Sequence, residues 1–296
     1  MRASAWRLRG RVKRRLVTLV PRYFPVPECV TGAWGSGAGD PTSGATPVRH
    51  PWRMLVPDWL ANTHEMGAGW LWLRIGLTAV VAVLAAVASP VALAAMPAPV
   101  EDDGTPAADY LMLARWRLLP PVAGLGAAVL AGSLVWTVPW PLLPSVLAVA
   151  AAAPLLTYVD LRAHLLPDPV TLVASAVAIV ALVVGCLATG HARALLVALG
   201  IGLATSMVFL GLALIGGGIG FGDVKLVFAL SATAAAVSVA GSILLLVLAI
   251  TFGGLTALVL VVSRRRDRKA HLPFGPLLLA GWWLALLWEG SALSAR

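Results

Sequence analysis

Residues Leu226 to Val262 form a run of 37 residues without a charged side chain. One straight helix of this length, at about 1.5 Å per residue, would far exceed the roughly 30 Å apolar layer of a bilayer. Two shorter passes with a turn near Ser238 to Ser242 fit that layer better. A chain built around such a run is expected to fold in lipid, where helices satisfy their own backbone hydrogen bonds.

The composition of the chain as a whole also supports a membrane protein. Of its 296 residues, 59% are hydrophobic and 12% charged, against about 25% charged in soluble domains. The mean hydropathy is +0.89. We therefore predict an all-α, polytopic integral membrane protein with about eight transmembrane helices, whose partner is the lipid bilayer. The expected spans are 71–96, 119–138, 142–159, 170–188, 194–215, two passes within 226–262, and 276–288.

The first 69 residues predict a poorly ordered basic extension, and residues 70–296 a helical membrane domain. Ten of the 22 Lys and Arg lie in the first 53 residues, and the stretch 32–47 is rich in Gly, Ser, Thr and Pro without periodicity. Such a basic segment is typical of attraction to anionic lipid. Nucleic acid is not an expected partner, because no aromatic residues suited to stacking are spaced through a groove-like basic stretch. Met54 and Met66 are alternative natural starts.

The two cysteines, Cys29 and Cys186, form no CxxC pair. The chain therefore carries no signature of a zinc site or a redox motif, and a disulfide between these two residues is not expected. We predict no metal and no cofactor.

The basic run RRRDRK, Arg264 to Lys269, sets the expected orientation, since cytoplasmic loops are enriched in Lys and Arg. Counting spans back from it places Asp223 and the loop 160–168 in the cytoplasm as well. Nine basic residues then lie inside, against Arg193 and Arg296 outside. The count also puts the basic N-terminal extension outside, against the same rule. Either the first span is miscounted or the extension is not part of the mature protein.

Three aspartates lie at expected helix ends on this cytoplasmic side. Asp168, between two prolines, is expected to cap the next helix with Pro169 in the first helical position. Asp223 could equally be a cap. Asp160 ends a span, where the helix dipole disfavours negative charge.

Two carboxylates that come close share one proton, so one can deprotonate water while the other protonates an oxygen of the substrate. Asp160 and Asp223 are candidates for such a pair. We expect Gly220 and Gly222 to let the Asp223 segment press against the end of the third span, and to allow positive φ. The rival interpretation, a phosphate-binding loop, fails because Asp223 stands where a Walker loop needs Lys.

Three motifs together resemble the type IV prepilin peptidases, which are GxGD intramembrane aspartic proteases. They are DLRAHLLPDPVTL from Asp160 with Pro167 and Asp168, GFGDVKL from Gly220 with Lys225, and LPFGPLLLAG with Pro273, Gly275 and Pro276. The resemblance covers about residues 119–287. It implies that Asp160 and Asp223 are the catalytic pair. Lys225 then tunes the second carboxylate or contacts a carbonyl, with an interface anchor as the open alternative.

The resemblance also implies the substrate and the place of action. Members of the family remove the short basic leader of prepilins or pseudopilins, after a glycine and before an apolar helix, at the cytoplasmic face of the plasma (inner) membrane. Adhesion, competence and secretion substrates all remain open. Bifunctional members carry a cysteine-bearing cytoplasmic domain between their first two spans, whereas the interval 97–117 here contains no cysteine. We therefore expect peptidase activity without methyltransferase activity.

Two other function classes fit a polytopic chain. An ion-coupled transporter or channel would carry acidic residues deep within its spans, whereas the fourth to seventh expected spans contain none. A non-catalytic scaffold for pilin assembly would keep the fold and lose a catalytic aspartate. The presence of both favours the peptidase.

Overall fold

The computed structural model describes 69–96, 110–164, 166–216, 220–262 and 273–294. In these ranges the chain is helical apart from short connections, which confirms the all-α class. The N-terminal extension before Gly69, most of the interval 97–117 and the basic loop 264–269 lie outside the described ranges.

Nine α-helices follow one another in the described residues, and eight of them have 17 residues or more. A 3₁₀ helix, Trp140–Leu142, leads into the fourth. The α-helices are α1 (Gly69–Ala95), α2 (Tyr110–Ala114), α3 (Leu119–Thr137), α4 (Leu143–Ala163), α5 (Asp168–Ala188), α6 (Ala192–Gly216), α7 (Phe221–Val237), α8 (Val239–Val262) and α9 (Gly275–Ser294).

Six of these helices are long and apolar enough to cross a bilayer: α1, α3, α4, α5, α6 and α8. The chain is therefore a multi-pass membrane protein. Of the remaining long helices, α7 has only 17 residues and α9 contains Glu289. The expected number of about eight spans is thus approximate, although each expected span corresponds to a helix.

The long uncharged run is divided at a single residue. Ser238 is extended, with φ −159° and ψ 135°, and separates α7 from α8. The turn expected near Ser238 to Ser242 therefore begins at its first residue, and α8 starts at Val239.

Helix α7 lies in the centre of the bundle and packs against α5, α6, α8 and α9. Small side chains allow this packing: a Cβ at Gly202 of α6 would lie 2.8 Å from the carbonyl oxygen of Phe228. The fully buried Trp282 of α9 donates its indole N–H to Thr233 Oγ1 of α7 at 3.0 Å. The central position explains why α7 consists mainly of small and apolar residues.

The two ends of the bundle differ in their side chains. At one end, the C-termini of α1 and α4 meet α2 and the start of α3 in an apolar cluster that includes Leu93, Tyr110, Leu119 and Val159. At the other end, the Arg74 guanidinium lies 4.7 Å from the centre of the Trp136 ring. Arg74 therefore adds a basic residue to the end opposite Asp160.

Candidate active site

Asp160 lies in the last turn of α4 and is 3% exposed. Its Oδ2 accepts a hydrogen bond of 3.1 Å from the backbone N–H of Gly275, the first residue of α9. The negative charge that the C-terminus of α4 disfavours therefore faces the N-terminus of α9, where the macrodipole stabilises it. This contact offsets the unfavourable interaction with the α4 dipole that the sequence predicts for Asp160.

The segment Pro273 to Pro276 forms the side of the site that contacts Asp160. Phe274 holds the segment in place, because its ring lies 6.0 Å from that of Phe209 and would be 2.9 Å from a Cβ at Gly253. Pro276 is the second residue of α9, a position that tolerates the missing N–H. A Cβ at Gly275 would lie only 3.0 Å from Asp160 Oδ2. Glycine is thus needed here for close approach of the carboxylate.

Asp223 is the third residue of α7 and is 5% exposed. Its Oδ2 accepts a hydrogen bond of 3.3 Å from the backbone N–H of Gly220, the N-cap residue. The capping role that the sequence left open for Asp223 therefore uses only Oδ2, one of its two carboxylate oxygens. The other, Oδ1, is buried and accepts no hydrogen bond from the described residues. A buried carboxylate oxygen without a donor is costly for a purely structural cap.

The structure brings Asp160 and Asp223 to the same end of the bundle, although 63 positions separate them in the chain. The Leu166 side chain connects their surroundings, since it lies beside Gly275, whose N–H binds Asp160, and beside Gly222, which directly precedes Asp223. Two buried carboxyls that come close do not both ionise cheaply, and a shared proton relieves the repulsion. In the described part of the chain, no three His, Cys, Asp or Glu residues are grouped to hold a metal ion.

The two motif glycines act differently from the expectation. Gly220 has φ −75°, and among the described glycines only Gly190 has positive φ, so the predicted need for positive φ is wrong. A Cβ at Gly220 would be no nearer than 3.6 Å to its neighbours, whereas one at Gly222 would lie 2.8 Å from the Cβ of Leu166. Gly222 therefore packs against the turn after α4 rather than against the end of that helix.

The predicted capping role of Asp168 is also wrong. The N-cap of α5 is the buried Pro167, and Asp168 is the first helical residue, with no capping hydrogen bond. Its Oδ1 instead lies 2.8 Å from Lys225 Nζ, with side-chain exposures of 58% and 37%. Burial and then the charge of Asp168 raise the pKa of Tyr110 in α2. Lys225 thus pairs with Asp168, an arrangement not considered from the sequence.

Two residues that contribute to the site were not predicted from the sequence. Leu166 packs beside Gly222 and Gly275, and the Ser206 hydroxyl of α6 donates to the carbonyl oxygen of Val224 at 2.9 Å. Leu166 stands directly before Pro167 inside the first motif, which could have drawn attention to it. Ser206 had no comparable signal, because its partner is a backbone atom 18 positions away.

An apolar groove of about 600 Å³ lies between α3, α4 and α9. It reaches Leu161 and Pro276, which directly follow Asp160 and Gly275 in the chain. Trp116 and Tyr158 are among its lining residues, and their rings are stacked with centres 5.0 Å apart.

Comparisons of the chain with protein families, with characterised proteins and with solved structures return no match.

Proposed function

We propose that this protein is an intramembrane aspartic endopeptidase of the type IV prepilin peptidase kind. The observation that carries the proposal is the placement of two buried carboxylates, Asp160 and Asp223, at the same end of the bundle, from two of the three motifs that resemble that family. One oxygen of each accepts a backbone N–H, and Asp223 Oδ1 has no donor in the described residues. Such a pair suits acid–base chemistry better than it suits helix capping.

In the proposed reaction, the ionised carboxylate removes a proton from water while the protonated carboxyl donates to the carbonyl oxygen of the scissile peptide. The water oxygen attacks the carbonyl carbon and forms a tetrahedral intermediate. In its collapse, a hydroxyl of the intermediate returns a proton to the carboxylate that had protonated the carbonyl oxygen, the C=O bond reforms and the C–N bond breaks. The leaving amine takes a proton from the carboxyl that had gained one from water, so the pair returns to its starting state. The backbone N–H groups of Gly275 and Gly220 hold the two carboxylates in place.

The proposed substrate is a prepilin or pseudopilin with a short basic leader followed by an apolar helix. The apolar groove between α3, α4 and α9 is lined in part by Leu161 and Pro276, which follow Asp160 and Gly275 in the chain, and it offers an apolar surface for the helix that follows the cut. The basic residues Arg115, Arg117, Arg162 and Lys225 belong to segments at this end, which by the positive-inside rule favours the cytoplasmic face of the plasma (inner) membrane.

The test uses the purified full chain in lipid nanodiscs with a prepilin whose leader ends in glycine. We expect a product shortened at that glycine, and none with either Asp→Asn variant. A methyl donor in the same reaction should leave the new N-terminus unmethylated. Intact substrate after long incubation with several prepilins and pseudopilins would refute the proposal, whereas substrate bound but uncut would favour a scaffold.

A further inference from the structure

We propose that Leu166 is a positioning residue that sets the spacing between the Asp160 and Asp223 carboxylates. This inference rests on the proposed peptidase function and deepens it. Leu166 lies in the short connection between α4 and α5, is half-buried, and packs against the main apolar core.

The contacts of Leu166 reach the neighbourhood of both aspartates. Its Cβ lies 2.8 Å from where a Cβ would stand at Gly222, the residue directly before Asp223. Its Cδ1 lies 3.2 Å from the corresponding point at Gly275, whose N–H binds Asp160. The leucine side chain therefore occupies the space between two glycine backbones, one beside each carboxylate.

This arrangement limits how closely the two backbones can approach. Packed interiors resist compression, and neither glycine carries a side chain that could rotate away. Pro167 follows Leu166 directly and restricts its backbone to extended conformations. A hydrogen bond could stretch or exchange with water, whereas an apolar side chain at van der Waals contact acts as a fixed spacer. The Leu166 side chain also has no hydrogen-bond donor that could compete for the two carboxyls.

A purely structural role would lower stability without changing the geometry of the pair. The distinguishing measurement is the spacing itself. Asp160→Cys and Asp223→Cys would be combined with Cys29→Ala and Cys186→Ala in the full chain in nanodiscs. Bifunctional thiol reagents of graded length then report the separation of the two positions, and this readout does not depend on activity.

With Leu166 present, we expect a narrow preference for one reagent length. Leu166→Ala should broaden the preference toward shorter reagents and raise direct disulfide formation several-fold, while Leu166→Met should keep the parent pattern. Leu172→Ala is the matched control, because Leu172 is 51% exposed on the adjacent α5. If Leu166→Ala fails to fold, Leu166→Val should give the same shift to a smaller degree.

In the chain with both aspartates intact, Leu166→Ala should lower kcat about tenfold with little change in KM, since small misplacements of catalytic groups are costly. Leu166→Met should restore most of the rate. Cross-linking patterns that are the same for Leu and Ala would overturn the spacer role, even in an active enzyme. If Leu166→Ala shifts the cross-linking pattern but the parent chain cuts no prepilin, the spacer role of Leu166 would be supported and the proposed peptidase function refuted.

Discussion

The backbone N–H of Gly275 donates a hydrogen bond of 3.1 Å to Oδ2 of Asp160, across 115 positions of the chain. The contact joins the C-terminal turn of α4 to the N-terminus of α9. It gives the third motif a physical role, because the proline-flanked glycine supplies both a donor and the space in which the carboxylate lies. Asp160 is thereby held by an element outside its own helix.

Gly275→Ala should therefore damage the site while preserving the bundle. The added Cβ would lie 3.0 Å from Asp160 Oδ2 and 3.2 Å from Leu166 Cδ1, so the carboxylate must shift by a few tenths of an ångström. We expect prepilin cleavage to fall by about tenfold or more, given the sensitivity of catalysis to position. Gly254→Ala on α8, where nothing lies within 4 Å of the added Cβ, is the control. Equal activity of the two variants would contradict the role of Gly275.

Of the two glycines in the GFGD segment, we expect that replacement by alanine is tolerated at Gly220 and abolishes activity at Gly222. Gly222→Ala places a Cβ 2.8 Å from the Leu166 Cβ, which cannot rotate away, so activity should be lost. Gly220→Ala meets only ordinary contacts, keeps φ near −75° and retains the N–H that binds Asp223. It should stay within about threefold of the parent, a change of less than 1 kcal/mol in the barrier. This prediction is tested by measuring the cleavage rate of each variant and the amount of each in the membrane.

Asp160→Asn and Asp223→Asn should each lower cleavage by at least about a hundredfold, because a positioned acid or base contributes that much or more. Asn keeps the side-chain volume and an oxygen that accepts the backbone N–H, so membrane levels and thermal stability should change little. Asp168→Asn is the control. Near-parental cleavage by either dyad variant would rule out the aspartyl mechanism.

The ion pair between Asp168 and Lys225 should contribute little to stability. Its N–O distance is 2.8 Å, but both side chains are substantially exposed, and such pairs are worth about 0–1 kcal/mol. We expect Asp168→Asn, Lys225→Met and the double variant to show a coupling free energy within that range, smaller at high salt. Activity should remain within a few-fold of the parent. A coupling well above this range, or loss of cleavage in Asp168→Asn, would show that the pair does more than join α5 to α7.

Much of the architecture could be predicted from local sequence. Apolar runs longer than a bilayer needs must break, and the uncharged stretch after Lys225 breaks at Ser238, within the expected turn. The helical class follows from the same physics, since backbone groups in lipid need partners in their own segment. The motif residues Asp160, Asp223 and Gly275 could be chosen because polar and glycine residues at membrane boundaries are few.

The specific contacts of those residues could not be predicted in the same way. Asp168 looked like a helix cap because it stands between prolines, yet Pro167 is the N-cap and Asp168 reaches Lys225 on another helix. Gly220 and Gly222 looked equivalent, yet of the two only Gly222 is a position where an added Cβ would lie closer than van der Waals distance to a neighbouring side chain. Local pattern specifies which residues are small or charged, but not which surface they meet.

The sequence by itself determined a multi-helix membrane chain and a short set of candidate residues, because hydropathy and chain length act along the backbone. Only the tertiary structure decided that Asp160 faces the N-terminus of α9, that Asp223 leaves one buried oxygen without a donor among the described residues, and that Leu166 lies between the two glycines. These relationships join segments far apart in the chain. They depend on how helices pack against one another, and no single segment carries that information.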